Sequence, residues 1–88
     1  MQTVTEIPEF SSNVARLLSG QEVQALIGHL AEHPRAGVLI PGTDSVRKLR
    51  WTREGMGKSR GVRVMHYFYD EQLPVYLLTV VGKDQKPI

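Results

Sequence analysis

Lys48, Arg50 and Arg63 are the residues best placed by type and spacing to do chemistry: two cations one residue apart, then a third that shares a period of two with Met65 and Tyr67. Residues two or four apart on an extended strand share a face. Lys48 and Arg50 therefore point together, as do Arg63, Met65 and Tyr67, and two paired strands would set both groups side by side. Converged cations repel one another, and a bound phosphate reverses that cost. The same charges then stabilise the oxyanion that develops during phosphoryl transfer. Tyr67 adds a ring on which an unpaired base stacks, or a hydroxyl that orients a phosphate. The plainer reading is an exposed basic sheet face carrying a cross-strand aromatic.

The surrounding charge supports the first reading. From Arg47 to Arg63 the chain holds seven basic residues (Arg47, Lys48, Arg50, Arg53, Lys58, Arg60, Arg63) and one acid, Glu54. That stretch carries a net +6, while the rest, with four basic and eight acidic residues, carries −4, so the overall +2 conceals a polarised molecule. Concentrated positive charge focuses potential toward a polyanion, of which a phosphate backbone is the commonest. Gly55 to Gly61 contains Gly-Lys-Ser, yet the flanking segments read as strands and the spacing is not that of a phosphate-binding P-loop. A hairpin loop bearing Lys58 and Arg60 is the better description, and with Arg47 these form the expected grip on a nucleic-acid backbone.

Nothing in the chain supplies a ready nucleophile. There is no cysteine, the serines fall in turn or cap contexts, and no serine, histidine and aspartate set is evident. RNA relieves that shortage, because its own 2′-hydroxyl attacks the adjacent phosphate and the protein need only position, protonate and neutralise. Neither cofactor nor metal is expected. His29 and His33 are spaced for a helical pair but lack an evident third ligand, and His66 stands alone.

The elements that must hold these groups can be read from periodicity. Thr3 to Ile7 reads as a short strand ended by Pro8, which suits the first turn of a helix whose apolar face is Phe10, Val14, Leu17 and Leu18. Ser19-Gly20-Gln21-Glu22 is a capping box, so a second helix starts at Gly20, carries Val23, Leu26, Ile27 and Leu30 on one face, and stops near His33 before Pro34. Val46 to Arg53 alternates, with Leu49 and Trp51 opposite Lys48 and Arg50. Val62 to Tyr69 and Val75 to Val81 read as two more strands joined by the turn Asp70-Glu71-Gln72, and Pro74 precedes the last. The expected fold is a single α+β domain over residues 1–88: a short N-terminal strand, then a helical hairpin packed on an antiparallel sheet of meander form. At 88 residues the chain has room for one modest core. No secretory leader or membrane-spanning run is evident, and with no cysteine the expected setting is cytoplasmic.

Together these residues resemble a known family. The run Ile40-Pro41-Gly42-Thr43-Asp44-Ser45-Val46-Arg47-Lys48-Leu49-Arg50-Trp51, then Gly57-Lys58-Ser59-Arg60-Gly61-Val62-Arg63-Val64, an aromatic pair, and Tyr76-Leu77-Leu78 ahead of a lysine look like the HigB branch of RelE-type toxins. The likeness runs over nearly the whole chain and implies the same small α+β fold. It further implies a type II toxin that cuts messenger RNA in the ribosomal decoding site, with a cyclic phosphate product and basic side chains in place of histidines. Its implied partners are the ribosome and a helix-turn-helix, HigA-like antitoxin that represses the shared operon. Carried over by position, the catalytic residues are Lys48, Arg50, Arg63, Tyr67 and Lys83, with Lys58 and Arg60 on the substrate. An arginine keeps its proton, so Lys48 or Lys83 is the better acid or base and the arginines are electrostatic stabilisers.

The chain differs from the family pattern at Asp44 and Ser45, where two glycines are usual, and at Val81, where tyrosine is usual. Lys83-Asp84-Gln85-Lys86 stands in place of Lys-Asn-Glu-Lys, and the terminal helix of relatives is expected to be absent. Three other functions remain open: an antitoxin-binding relative with impaired catalysis, a ParE-like inhibitor of DNA gyrase, and a nonspecific nucleic-acid binder.

Overall fold

The computed structural model describes residues 2–51 and 61–82. Strand β1 (Val4–Glu6) leads into α1 (Pro8–Val14) and α2 (Gly20–Glu32). Four strands follow: β2 (Val38–Leu39), β3 (Val46–Trp51), β4 (Val62–Tyr67) and β5 (Val75–Gly82). They form one five-stranded sheet in the order β1-β5-β4-β3-β2, and the fold is α+β, with both helices packed on one face.

Local chemistry explains where the helices begin. Pro8 opens α1, where a missing N–H costs nothing. The expected capping box opens α2: Ser19 Oγ accepts from the Glu22 amide at 3.2 Å, and the Ser19 amide donates to Glu22 Oε1 at 2.7 Å. The first helix is shorter than its apolar stripe suggests. It ends at Val14, and the Leu17 and Leu18 amides both return to the Val14 carbonyl, so these leucines reach the core from a tight turn.

The core lies between the helices and the sheet. Phe10, Leu26 and Leu30 from the helices meet Val62, Val64, Leu77 and Val80 from the strands, with Leu49 and Trp51 packed at the margin. Burial alternates along β4, so every second residue of that strand faces the helices and every other one faces away. That alternation gives the sheet one apolar, helix-covered face and one face turned away from the helices.

The β3, β4 and β5 meander is antiparallel as expected, and two other features of the sheet are not. The N-terminal strand β1 pairs with β5 in parallel, which makes the sheet mixed. The whole chain between them, from α1 through β4, makes the long connection that a parallel pair needs. An additional strand, β2, joins β3 at the far edge, with Val38 opposite Lys48 and Leu39 opposite Arg47. Two exposed residues carry no periodicity, which is why the sequence does not announce this strand. Strand β4 also stops at Tyr67, two residues before the expected Tyr69; the buried Phe68 still donates its amide in register to the Ser45 carbonyl, and Tyr69 beyond it is exposed. No helix among the described residues is long and apolar enough to cross a membrane.

Candidate nucleic-acid interface

The sheet face turned away from the helices gathers the cations. Register places Arg50 of β3 directly opposite Arg63 of β4, Lys48 opposite Met65, and Val46 opposite Tyr67. Lys48 and Arg50 are exposed, whereas Arg63, Met65 and Tyr67 are half-buried. Directly opposed side chains have Cβ atoms about 5 Å apart, and two like charges in that relation destabilise the ladder. No acid stands on this face of β3, β4 or β5 to offset the repulsion.

The face continues onto β5. Val81 sits opposite Arg63 and Thr79 opposite Met65, after which the register skips Leu78. This bulge returns Tyr76 to a position opposite Tyr67, where the two rings stand 6.2 Å apart in a tilted pair. Aromatic surface thus lies beyond one end of the cationic group.

At the other side a hollow of about 160 Å³ opens between the segment Val38–Pro41 and the side chains of Lys48, Arg63, Met65 and Val81. Its walls are apolar except for the two cations. The segment that forms the outer wall is shaped by two glycines. Gly37 has φ +86°, and a Cβ there would lie 2.5 Å from the Lys48 carbonyl oxygen, so the chain passes too close to β3 for any side chain. After β2, Ile40-Pro41-Gly42-Thr43 makes a tight turn: Gly42 has φ +84°, and the Thr43 amide donates to the Ile40 carbonyl at 3.1 Å. Proline followed by a glycine with positive φ is the pattern of a type II turn. The Ile40 amide then reaches the Val46 carbonyl at 2.9 Å, which closes the segment onto the start of β3.

Of the expected site residues, Lys48, Arg50, Arg63 and Tyr67 share this one face. Arg47 does not. It lies on the helix side of β3 opposite His66, half-buried, and its Nη1 donates to the Arg35 carbonyl at 3.4 Å. It is thus placed on the face opposite Lys48, Arg50 and Arg63. Lys58, Arg60 and Lys83 lie outside the described residues, as does Arg53. The sequence reading overlooked the Val38–Pro41 wall. Its signal was the apolar run Val38-Leu39-Ile40 closed by Pro41-Gly42, a short strand followed by turn residues.

No protein-family model matches the chain. The arrangement must therefore be read from its chemistry. Three cations on one sheet face have the chemistry to hold an oxyanion at several points, the tyrosine pair has the surface of a stacking platform, and the apolar hollow beside Lys48 and Arg63 suits a planar ring more than a second charge. Among the described residues no group of three or more histidines and carboxylates is placed to hold a metal ion.

Proposed function

We propose that this protein is a ribosome-dependent messenger RNA endonuclease, the toxin of a type II toxin–antitoxin pair, and that the Lys48, Arg50 and Arg63 face is where it acts. The observation that carries the reading is the direct opposition of Arg50 and Arg63, with Lys48 beside them and, among the described residues of β3, β4 and β5, no acid on the same face. An unneutralised like-charge pair weakens the sheet it belongs to. A bound phosphate turns that weakness into affinity.

In this scheme the 2′-oxygen gives its proton to solvent water, bonds to the adjacent phosphorus, and displaces the 5′-oxygen, which takes up a proton as it leaves. The products are a 2′,3′-cyclic phosphate and a 5′-hydroxyl end. Arg50 and Arg63 hold the non-bridging oxygens and offset the charge that grows on them in the transition state. Lys48, whose ammonium both donates and exchanges protons, serves the leaving oxygen. Tyr67 stacks a neighbouring base and fixes the in-line geometry on which the attack depends.

Expression in growing cells with mapping of transcript ends tests the proposal. Growth should stop, and new 5′ ends should fall inside translated codons and disappear when translation initiation is blocked. Growth arrest with intact transcripts and an induced DNA-damage response would place the target at gyrase instead.

A further inference from the structure

The opposite face of the sheet holds two buried polar atoms that the proposed chemistry does not use. His66 of β4 is fully buried, and its Nε2 lies 3.1 Å from the Pro34 carbonyl oxygen. A carbonyl only accepts, so Nε2 carries the proton and Nδ1 is left as an acceptor. That Nδ1 has no partner among the described residues. Directly across the ladder stands Arg47, whose Nε–H is buried and equally without a partner. A donor and an acceptor that are both unmet, on facing residues of adjacent strands, complement each other. Each would otherwise carry the desolvation cost of a buried polar atom left unpaired.

We propose that His66 and Arg47 form a proton-sensitive clamp, joined Nε–H to Nδ1 through one bridging water, which holds the Pro34–Arg35 backbone on the sheet and thereby sets β2 at the wall of the cationic hollow. Both ends of the clamp grip consecutive carbonyls: His66 takes that of Pro34, and Arg47 takes that of Arg35 at 3.4 Å. The Arg35 guanidinium, 5.0 Å from the centre of the Phe68 ring, adds a third tie. Two residues later the chain passes over the Lys48 carbonyl at Gly37 and enters β2. Releasing 34–35 therefore releases the strand that walls the hollow.

A second proton on His66 would turn its Nδ1 into a donor facing the Arg47 donor. It would also place a positive charge beside Arg47 of β3 and His29 of α2, with Arg35 on the clamped connection and only the apolar Leu77 opposite on β5. Burial is the main influence holding the imidazole below its ordinary value; the charges of Arg47 and His29 add to it, and the Pro34 carbonyl opposes them. A depressed folded-state value means that the clamp is intact above the ordinary imidazole range and weakens as pH falls through the folded value. Nothing in this step depends on RNA being the ligand of the other face.

Amide hydrogen exchange on the intact chain tests it, with the Ile40 amide, bonded to Val46, as reporter and the Val75 amide, bonded to Thr3 at the far edge, as control. Relative to Val75, Ile40 protection in the wild type should fall about tenfold between about pH 7.5 and about pH 5. Glutamine can donate to Pro34 and accept from Arg47 without titrating, so His66→Gln should keep protection high at both pH values. Arg47→Met, which preserves the stem and removes the donor, should leave Ile40 poorly protected at both. Wild-type protection that does not change with pH overturns the clamp, as does a fall shared equally by Val75. PH dependence retained in His66→Gln, or wild-type protection in Arg47→Met, contradicts it as well.

Discussion

Arg63 is where the requirements of folding and of chemistry oppose each other most clearly. It faces Arg50 across the ladder and Val81 on its other side, so neither ladder neighbour offsets its charge. Arg63→Leu should therefore raise stability slightly, by about 0.5 kcal/mol, as the like-charge opposition is removed. RNA cleavage by the same variant should fall by about a hundredfold or more if Arg63 stabilises the transition-state charge. Thermal denaturation and single-turnover cleavage on programmed ribosomes measure the two effects separately. A variant that loses both together would mark Arg63 as a structural residue. Arg47 should behave in the opposite way. Its replacement by alanine should cost about 1–2 kcal/mol of stability through the buried groups it leaves unmet, with little direct effect on RNA affinity. The sequence alone could not separate these two arginines, since both belong to one basic stretch. Parity along β3 does: Arg47 shares a face with Leu49 and Trp51, whereas Lys48 and Arg50 share the other.

At the scale of elements, the clearest sequence signals were those with a local physical cause. Ser19 and Glu22 announce the start of α2 because the cap is made between residues three apart, and Ser19→Ala should cost about 1 kcal/mol in thermal or urea denaturation. Alternation marks β3 and β4 because each faces the core on one side only. The parallel pairing of β1 with β5 left no trace, since a three-residue strand says nothing about which neighbour it will meet 71 residues later. Strand β2 was hidden for a related reason: its place is set by Gly37 passing close to Lys48 and by the Pro41-Gly42 turn, rather than by its own residues. Gly37→Ala meets both a positive φ and the Lys48 carbonyl, so it should lose about 1–2 kcal/mol and displace β2 from the hollow. Chemical-shift changes confined to Val38–Lys48 would confirm the displacement. A variant with wild-type stability and shifts would show that the close approach is not what fixes the strand.

For the whole molecule, the decisive property is polarity of two kinds. The sheet separates an apolar, helix-covered face from a cationic, open one, and the sequence separates a basic segment from an acidic remainder. The first separation decides which cations are available, and the second draws a polyanion toward them. Charge density was legible from the start. Its division was not, because register is a property of the assembled sheet: only pairing shows that Arg50 and Arg63 stand opposite each other while Arg47 faces His66. Binding of RNA phosphate by the face bearing Lys48, Arg50 and Arg63 is the proposal on which the rest depends. Its most direct test is the salt dependence of single-stranded RNA binding by the wild type and by the Arg50→Ala, Arg63→Ala double variant. Each lost phosphate contact should reduce the slope of log affinity against log salt by about 0.7, so the double variant should bind more weakly with a slope smaller by about 1.4. A double variant with wild-type affinity and slope would contradict the claim.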